Sequence, residues 1–438
     1  MVSIMEKCIA ISALIIMGIA SNSDNMVYVK DDPKILNDSI VMQWGGHTFA
    51  YLLTGENGIF WSATAFDPND PTPTALIGQV PKEGSSLSPA LSKIRFEGKN
   101  IKGNNQPQIF RTKDGYIHAF IGVTYSTDNP NYNYGRIHYY RSDKPDDISN
   151  LIDKTDLIPT KPFEDYHLRM NVGMSQDGQH VVLIILAISE DGKIPFNTPV
   201  MFVGEKQGID FVFKEPFQYA EPMGFFYPHI AVTNDGIVLV GEIWDKEDIH
   251  YTRLLHLDWN YNIINREDIP VDVAGNHFVY DMRPQNKDDW SSLILYYNSH
   301  DIDNKDNRHE FWRYNTKAKK LERLRSIQIE PHLSNAGKWI PINEKRSVFI
   351  NNPSMGQLMA WEGDILGGGE IARIPIEKAN PIEIGYQGSV YMFTPNVLQG
   401  SVISDGEIYI ATEFIGKERK PDKSGPCSFM LWRLEIDR

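Results

Sequence analysis

The sequence predicts an all-β protein, a single-domain seven-bladed β-propeller, on three observations: hairpin turns that recur at a near-constant interval, short strand-like runs on either side of each turn, and a globular composition. The 438 residues are 41% hydrophobic, 23% charged and 11% aromatic, which excludes disordered and collagen-like chains. Asn57-Gly58, Asp114-Gly115, Asp177-Gly178, Asp235-Gly236 and Asp405-Gly406 are dipeptides suited to tight hairpins, and Lys287-Asp288 and Glu344-Lys345 hold the same phase in degenerate form. These seven anchors fall at intervals of roughly 60 residues, enough for a four-stranded blade with its loops. An all-β sandwich of two domains is the alternative, because the period establishes hairpins before it establishes radial closure.

The elements follow in order. Met1 to Lys7 precedes an apolar run from Cys8 to Ala20 that ends in the small-x-small triplet Gly18-Ile19-Ala20, the layout of a secretory signal over 1–20. The run is shorter than the ~20 residues of a spanning helix, so export to the periplasm or cell surface is expected, with no membrane span. Cys8 leaves with the signal and Cys427 then stands alone, which excludes an intramolecular disulfide. The propeller is assigned to 26–438. Its strand-like runs include Thr48 to Leu52 before the first anchor, Gln108 to Phe110 before the second, Val181 to Leu186 after the third, and Pro228 to Val232 before the fourth. Later runs are Ser292 to Tyr296, Ser347 to Ile350 and Ile408 to Ile410. The early run Met26 to Val29 and the late run Phe429 to Leu434 are expected to share one blade. A closed propeller exposes few strand edges, so a monomer is expected.

Composition also narrows the partners. Lys and Arg number 43 against 57 Asp and Glu, for a net charge of -14, and a chain so acidic repels a phosphate backbone, which excludes nucleic acid. Its 20 Tyr, 20 Phe and 9 Trp supply flat faces that stack on sugar rings. The sequence contains no H-E-x-x-H, paired-cysteine, phosphate-loop or G-x-S-x-G motif. Asp301 to Asn307 has the acidic spacing of a calcium loop but lacks the central glycine, and Trp312 stands where the closing carboxylate belongs. No metal and no cofactor are expected.

In a propeller the first strand of each blade lines the central channel, so equivalent positions face one another around the axis. Ten residues before the anchors stand His47, Asn104, His167, Phe225, His277, Ser334 and Pro395. Asn105, Arg169, Tyr227 and Arg283 lie close to these positions, and together they make a polar funnel with acid/base and anion-binding groups. Gln43-Trp44-Gly45-Gly46-His47-Thr48 is the most suggestive stretch: its glycines allow close backbone approach, Trp44 offers a stacking face, and His47 exchanges a proton near neutral pH. His47 is therefore a candidate proton donor. Trp44, Asn105, His167, Arg169, Tyr227, His277 and Arg283 are the candidate substrate-binding residues.

Asn105-Gln106-Pro107-Gln108-Ile109-Phe110, Asp114-Gly115-Tyr116-Ile117-His118 and Arg136-Ile137-His138-Tyr139-Tyr140-Arg141-Ser142 resemble the repeat of the BNR-repeat propellers that include the ulvan lyases, in outline over nearly the whole chain after the signal. Within that clan the length, the exported start and the early His47 are similar to glycoside hydrolase family 145, seven-bladed α-L-rhamnosidases that remove rhamnose capping glucuronic acid in plant arabinogalactan. That resemblance implies an active site on the posterior face with one essential histidine, carried over to His47. The ulvan lyases have histidines in the segments matching Asn104-Asn105 and Thr124-Tyr125, and this chain has neither.

Three functions are thus weighed. An exo-acting rhamnosidase would use His47 as proton donor and Arg169 as the bidentate partner of the uronate. A polysaccharide lyase acting on a rhamnose- and uronate-containing glycan would draw its base and acid from His167 and Tyr227, with Arg169 and Arg283 neutralising the carboxylate. A non-catalytic propeller would bind the same glycan without turnover.

Overall fold

The computed structural model describes residues 27–29, 34–41, 51–67, 70–96, 101–104, 107–126, 133–159, 170–187, 198–218, 229–244, 250–269, 275–286, 289–301, 307–329, 338–341, 347–351, 359–363, 371–374, 376–377, 388–392, 402–403, 407–416 and 426–436. Apart from one short 3-10 turn, Thr155–Leu157, every regular element among them is a strand.

Among the described residues, six sheets follow one another along the chain. The first hairpin, Tyr51–Thr54 with Gly58–Asp67, continues into Asp70–Pro81 and Ala90–Arg95. The second sheet is built from Ile101–Asn104, Gln108–Arg111, Ile117–Ser126, Asn133–Lys144 and Asp147–Asp153. The third runs from Met170–Met174 through His180–Ala187 and Thr198–Gln207 to Asp210–Phe213, with the short Phe217–Gln218 at its side. The fourth comprises His229–Thr233, Gly236–Trp244, His250–Leu257 and Ile263–Ile269, and the fifth Gly275–Asn286, Asp289–Asp301, Asn307–Asn315 and Lys320–Ile329. A sixth, Lys338–Pro341 to Ile371–Ile374, has the same four-stranded antiparallel order. The first hairpin joins strands from both chain ends in one eleven-stranded sheet, where Lys34–Val41 and Val27–Val29 pair antiparallel with Pro426–Ile436.

The turn signals become the links between first and second strands. Gly115 and Gly178 have φ of 87° and 72°, the left-handed region that a side chain disfavours. Around Gly178 the local groups are all engaged: Gly178 N donates to the Ser175 carbonyl, Ser175 Oγ donates to Asp177 Oδ1 and Gln179 N donates to the same oxygen. The degenerate anchors serve the same purpose, since 287–288 lies between Gly275–Asn286 and Asp289–Asp301, and 344–345 between Lys338–Pro341 and Ser347–Asn351.

The first five sheets pack face to face in chain order like the blades of a propeller, which is why their middle strands are apolar on both faces. Val181, Leu183 and Ile185 pack with Phe110, Phe120 and Tyr139 of the second sheet, while their neighbours Val182 and Ile184 pack with Ile230, Ile237 and Leu239 of the fourth. Leu53, Phe60 and Ile77 meet Ile109, Ile117 and Ile148 between the first and second sheets. Val238, Val240 and Leu254 meet Met282, Leu295, Trp312 and Tyr314 between the fourth and fifth. The first strands of these five sheets touch in turn: Tyr51–Thr54 meets Gln108–Arg111, which meets Met170–Met174, then His229–Thr233, then Gly275–Asn286.

Candidate functional site

The first strands of these five sheets touch in sequence, and each follows a segment of the chain that leads into it. Most of the predicted residues belong to those segments. His47 stands four residues before Tyr51–Thr54, Asn105 three before Gln108–Arg111, Arg169 one before Met170–Met174 and Tyr227 two before His229–Thr233. Trp44, His47, Asn105, His167, Arg169 and Tyr227 themselves lie outside the described residues. His277 lies within Gly275–Asn286, its backbone opposite Ser299. Arg283 is six residues further along the same strand, opposite Ile294, and is buried.

The structure describes the strands that follow these segments in the chain. Ser62 Oγ, buried in the first sheet, donates to the Pro107 carbonyl at 2.5 Å, two residues after Asn105. The Gln108 side chain, also buried, donates from Nε2 to the Met170 carbonyl at 2.9 Å and accepts from the Val172 amide at 2.8 Å. Asn171 Oδ1 shares that amide, also at 2.8 Å. Polar side chains in the first and second strands thus tie one sheet to the start of the next, and every buried amide involved finds a partner.

Three of the described histidines outside the candidate set, His118, His138 and His256, have structural surroundings. His118 is enclosed between the second and third sheets, with Nδ1 2.8 Å from Tyr139 Oη and Nε2 3.3 Å from Thr112 Oγ1. Burial pushes its pKa down to about 3, so the ring is neutral at physiological pH. His138 lies against Phe96, ring centroids 4.9 Å apart, and 3.5 Å from Tyr125 Oη, with its pKa lowered to about 4 by burial. His256 Nδ1 lies 2.9 Å from Tyr314 Oη, and burial lowers its pKa to about 4 as well. A general acid needs a proton near neutral pH, and these three rings do not carry one.

The buried carboxylate among the described residues is Glu310. Arg323 Nη2 donates to its Oε1 at 3.1 Å and Trp312 Nε1 to its Oε2 at 3.1 Å. With both oxygens engaged by its own sheet it ties the third and fourth strands of the fifth sheet together rather than standing as a free acid. The Arg141–Asp210–Lys154 cluster plays a similar part between the second and third sheets: Arg141 Nε meets Asp210 Oδ1 at 2.5 Å and Lys154 Nζ meets Oδ2 at 3.0 Å. Sequence reasoning missed Gln108 and Ser62, because each is a polar residue among apolar neighbours in its strand and its partner comes 62 or 45 residues away in the chain.

No family model matches the chain, and no curated protein does. Among solved structures it is similar to an acylaminoacyl peptidase of Pyrococcus horikoshii, with 12% identity and a TM-score of 0.45, over 88% of this chain and 51% of that one. The chain therefore spans about half the length of that peptidase. It is also similar to the β-propeller domain of the Trilobed protease from Pyrococcus furiosus, described as having an open velcro topology, at 11% identity and a TM-score of 0.41 over 88% and 94%. A third is the α-L-arabinanase of Penicillium chrysogenum complexed with arabinobiose, at 12% identity and a TM-score of 0.39 over 74% and 92%. At these identities and scores the likeness carries neither substrate nor mechanism to this chain.

Proposed function

We propose that the protein is an exported glycan-acting enzyme built as a seven-bladed propeller, and that it is an exo-α-L-rhamnosidase releasing rhamnose linked to glucuronic acid. The observation that carries this reading is the position of His47, Asn105, Arg169 and Tyr227 one to four residues ahead of strands that touch one another in turn, Asn105 lying between the two segments Ile101–Asn104 and Gln108–Arg111 of one sheet edge. Loops entering the inner strands of a propeller gather at one mouth of its channel.

Hydrolysis of the rhamnosyl bond requires a proton on the leaving oxygen as positive charge develops on the sugar ring, and a water that adds to the anomeric carbon. His47 supplies the proton, its ordinary pKa suiting transfer near neutral pH. Arg169 holds the uronate in a two-pronged ion pair, and the substrate's own carboxylate then stands beside the developing charge in place of a second protein acid. Trp44 offers an aromatic face to the rhamnose ring. Asn105, His167, Tyr227, His277 and Arg283 supply the hydrogen bonds that orient the disaccharide. The ligand is carbohydrate, and no metal or cofactor takes part in this scheme.

The test is substrate selectivity. Rhamnosyl-glucuronate and its carboxyl-reduced analogue are compared under identical conditions, and kcat/KM is expected to fall about a hundredfold for the analogue, because it leaves a site arginine without its anion. Equal kcat/KM for the two substrates would contradict the uronate-directed reading.

A further inference from the structure

Gln108 grips the backbone of the neighbouring first strand at two points. The strands Gln108–Arg111 and Met170–Met174 touch, yet each forms its backbone ladder with the second strand of its own sheet. The Gln108 amide bridges them instead, Nε2 donating to Met170 O at 2.9 Å and Oε1 accepting from Val172 N at 2.8 Å. One donor and one acceptor on a planar group reproduce the exchange of bonds that a ladder makes between residues of paired strands. The residue is 3% exposed, so water does not compete for either bond. Met170 and Val172 follow Arg169 by one and three residues.

We propose that Gln108 is a positioning residue: by fixing the backbone at Met170 and Val172 it sets where the segment carrying His167 and Arg169 joins the third sheet, and through that it sets the affinity for the substrate's carboxylate. The inference rests on the assignment of Arg169 as the uronate ligand. A purely structural clamp would lower stability and leave affinity alone, and the chain supplies the control for that. Gln79, also buried, makes a comparable double bond in the first sheet, donating to Ser88 O at 2.7 Å and accepting from Ile148 N at 2.9 Å, at the outer strand of the second sheet and away from the strands that carry the site.

The experiment titrates free D-glucuronate calorimetrically into the full-length protein, wild type and the variants Gln108→Met, Gln108→Glu and Gln79→Leu, with the thermal midpoint of each recorded alongside. Gln108→Met keeps the volume and removes both bonds. Gln108→Glu keeps the shape and an acceptor for Val172 but replaces the donor to Met170, and so serves where the methionine variant does not fold. The expected result is glucuronate binding by wild type, a loss of about tenfold in affinity in both Gln108 variants, and unchanged affinity in Gln79→Leu despite its lower midpoint. Equal affinity in wild type and the Gln108 variants, an equal loss in Gln79→Leu, or no glucuronate binding by wild type would overturn it. Rhamnose release measured on the same samples separates this from the enzyme assignment: glucuronate binding that depends on Gln108, without rhamnose release, supports the positioning role and contradicts the hydrolase, whereas rhamnose release with the same KM in Gln108→Met overturns the positioning role alone.

Discussion

Gly78 shows how closely neighbouring strands are fitted at the level of single residues. It lies directly opposite Trp61, and a Cβ added there would overlap the indole ring. The buried Trp61 has little freedom to move aside, so Gly78→Ala is expected to cost about 1–3 kcal/mol through overpacking, read as a lower thermal midpoint with unchanged far-ultraviolet circular dichroism. The buried histidines make a second prediction. His118, His138 and His256 have pKa values of about 3, 4 and 4 in the fold against an ordinary 6.5, each lowered chiefly by burial. The unfolded chain therefore binds more protons than the folded one between these limits, and stability falls as pH drops through that window. Above pH 6.5 the three groups contribute no slope. Urea midpoints measured from about pH 7.5 down to about pH 4 are expected to decline most steeply below 6.5, and a flat profile there would show that these rings accept protons freely in the folded state. His256 has a particular reason to resist protonation: its Nε2 meets no hydrogen-bond partner among the described residues.

Between elements, apolar faces supply adhesion and a few buried side chains fix the register. Ile148, in the outer strand of the second sheet, has both backbone groups held by the first sheet: Gln79 Oε1 accepts from its amide at 2.9 Å and Ser92 Oγ donates to its carbonyl at 2.7 Å. Gln79→Leu leaves the Ile148 amide and the Ser88 carbonyl without these partners, at a cost of about 1–3 kcal/mol for buried groups. Faster hydrogen exchange at the Ile148 amide, together with a lower midpoint, is the expected signature. This level of organisation was only partly legible beforehand. The runs around the hairpin turns were readable, since Val181 to Leu186 is apolar at every position and a strand covered on both faces must be. Gln79 and Gln108 were not, because an isolated polar residue in a strand reads as solvent-facing until its partner is known, and for the Gln79–Ile148 bond that partner lies 69 residues further on.

At the scale of the whole molecule, the same strand receives both ends of the chain. Pro426–Ile436 pairs with Glu407–Gly416 on one side and with Lys34–Val41 and Val27–Val29 on the other, which is the pairing of early and late runs that the sequence suggested. Met430 lies between Ile35 and Thr412 in this arrangement. Met430→Pro is expected to lower stability by about 3 kcal/mol or more and to expose the N-terminal strand to limited proteolysis. The recurring hairpins were legible because turn chemistry is local. The site was less so, because a fixed offset before each turn does not mark a fixed place in the fold: Tyr51–Thr54 has 4 residues and Gly275–Asn286 has 12. The same ten-residue step therefore lands ahead of the strand at His47 and inside it at His277. Trp44, His47, Asn105, His167, Arg169 and Tyr227 lie outside the described residues, and their roles rest on sequence position and chemistry.

In the proposed reaction His47 drives hydrolysis at a rhamnose–glucuronate bond. That role is tested most directly by incubating wild type and His47→Ala with rhamnose-capped arabinogalactan while following free rhamnose and the ultraviolet absorbance of an unsaturated uronate together. Rhamnose release by wild type, no new absorbance, and a loss of at least about a hundredfold in rate for His47→Ala are expected, the scale of a missing general acid. New absorbance would mean elimination instead of hydrolysis. Rhamnose release that survives His47→Ala, or silence in both channels, would equally contradict it.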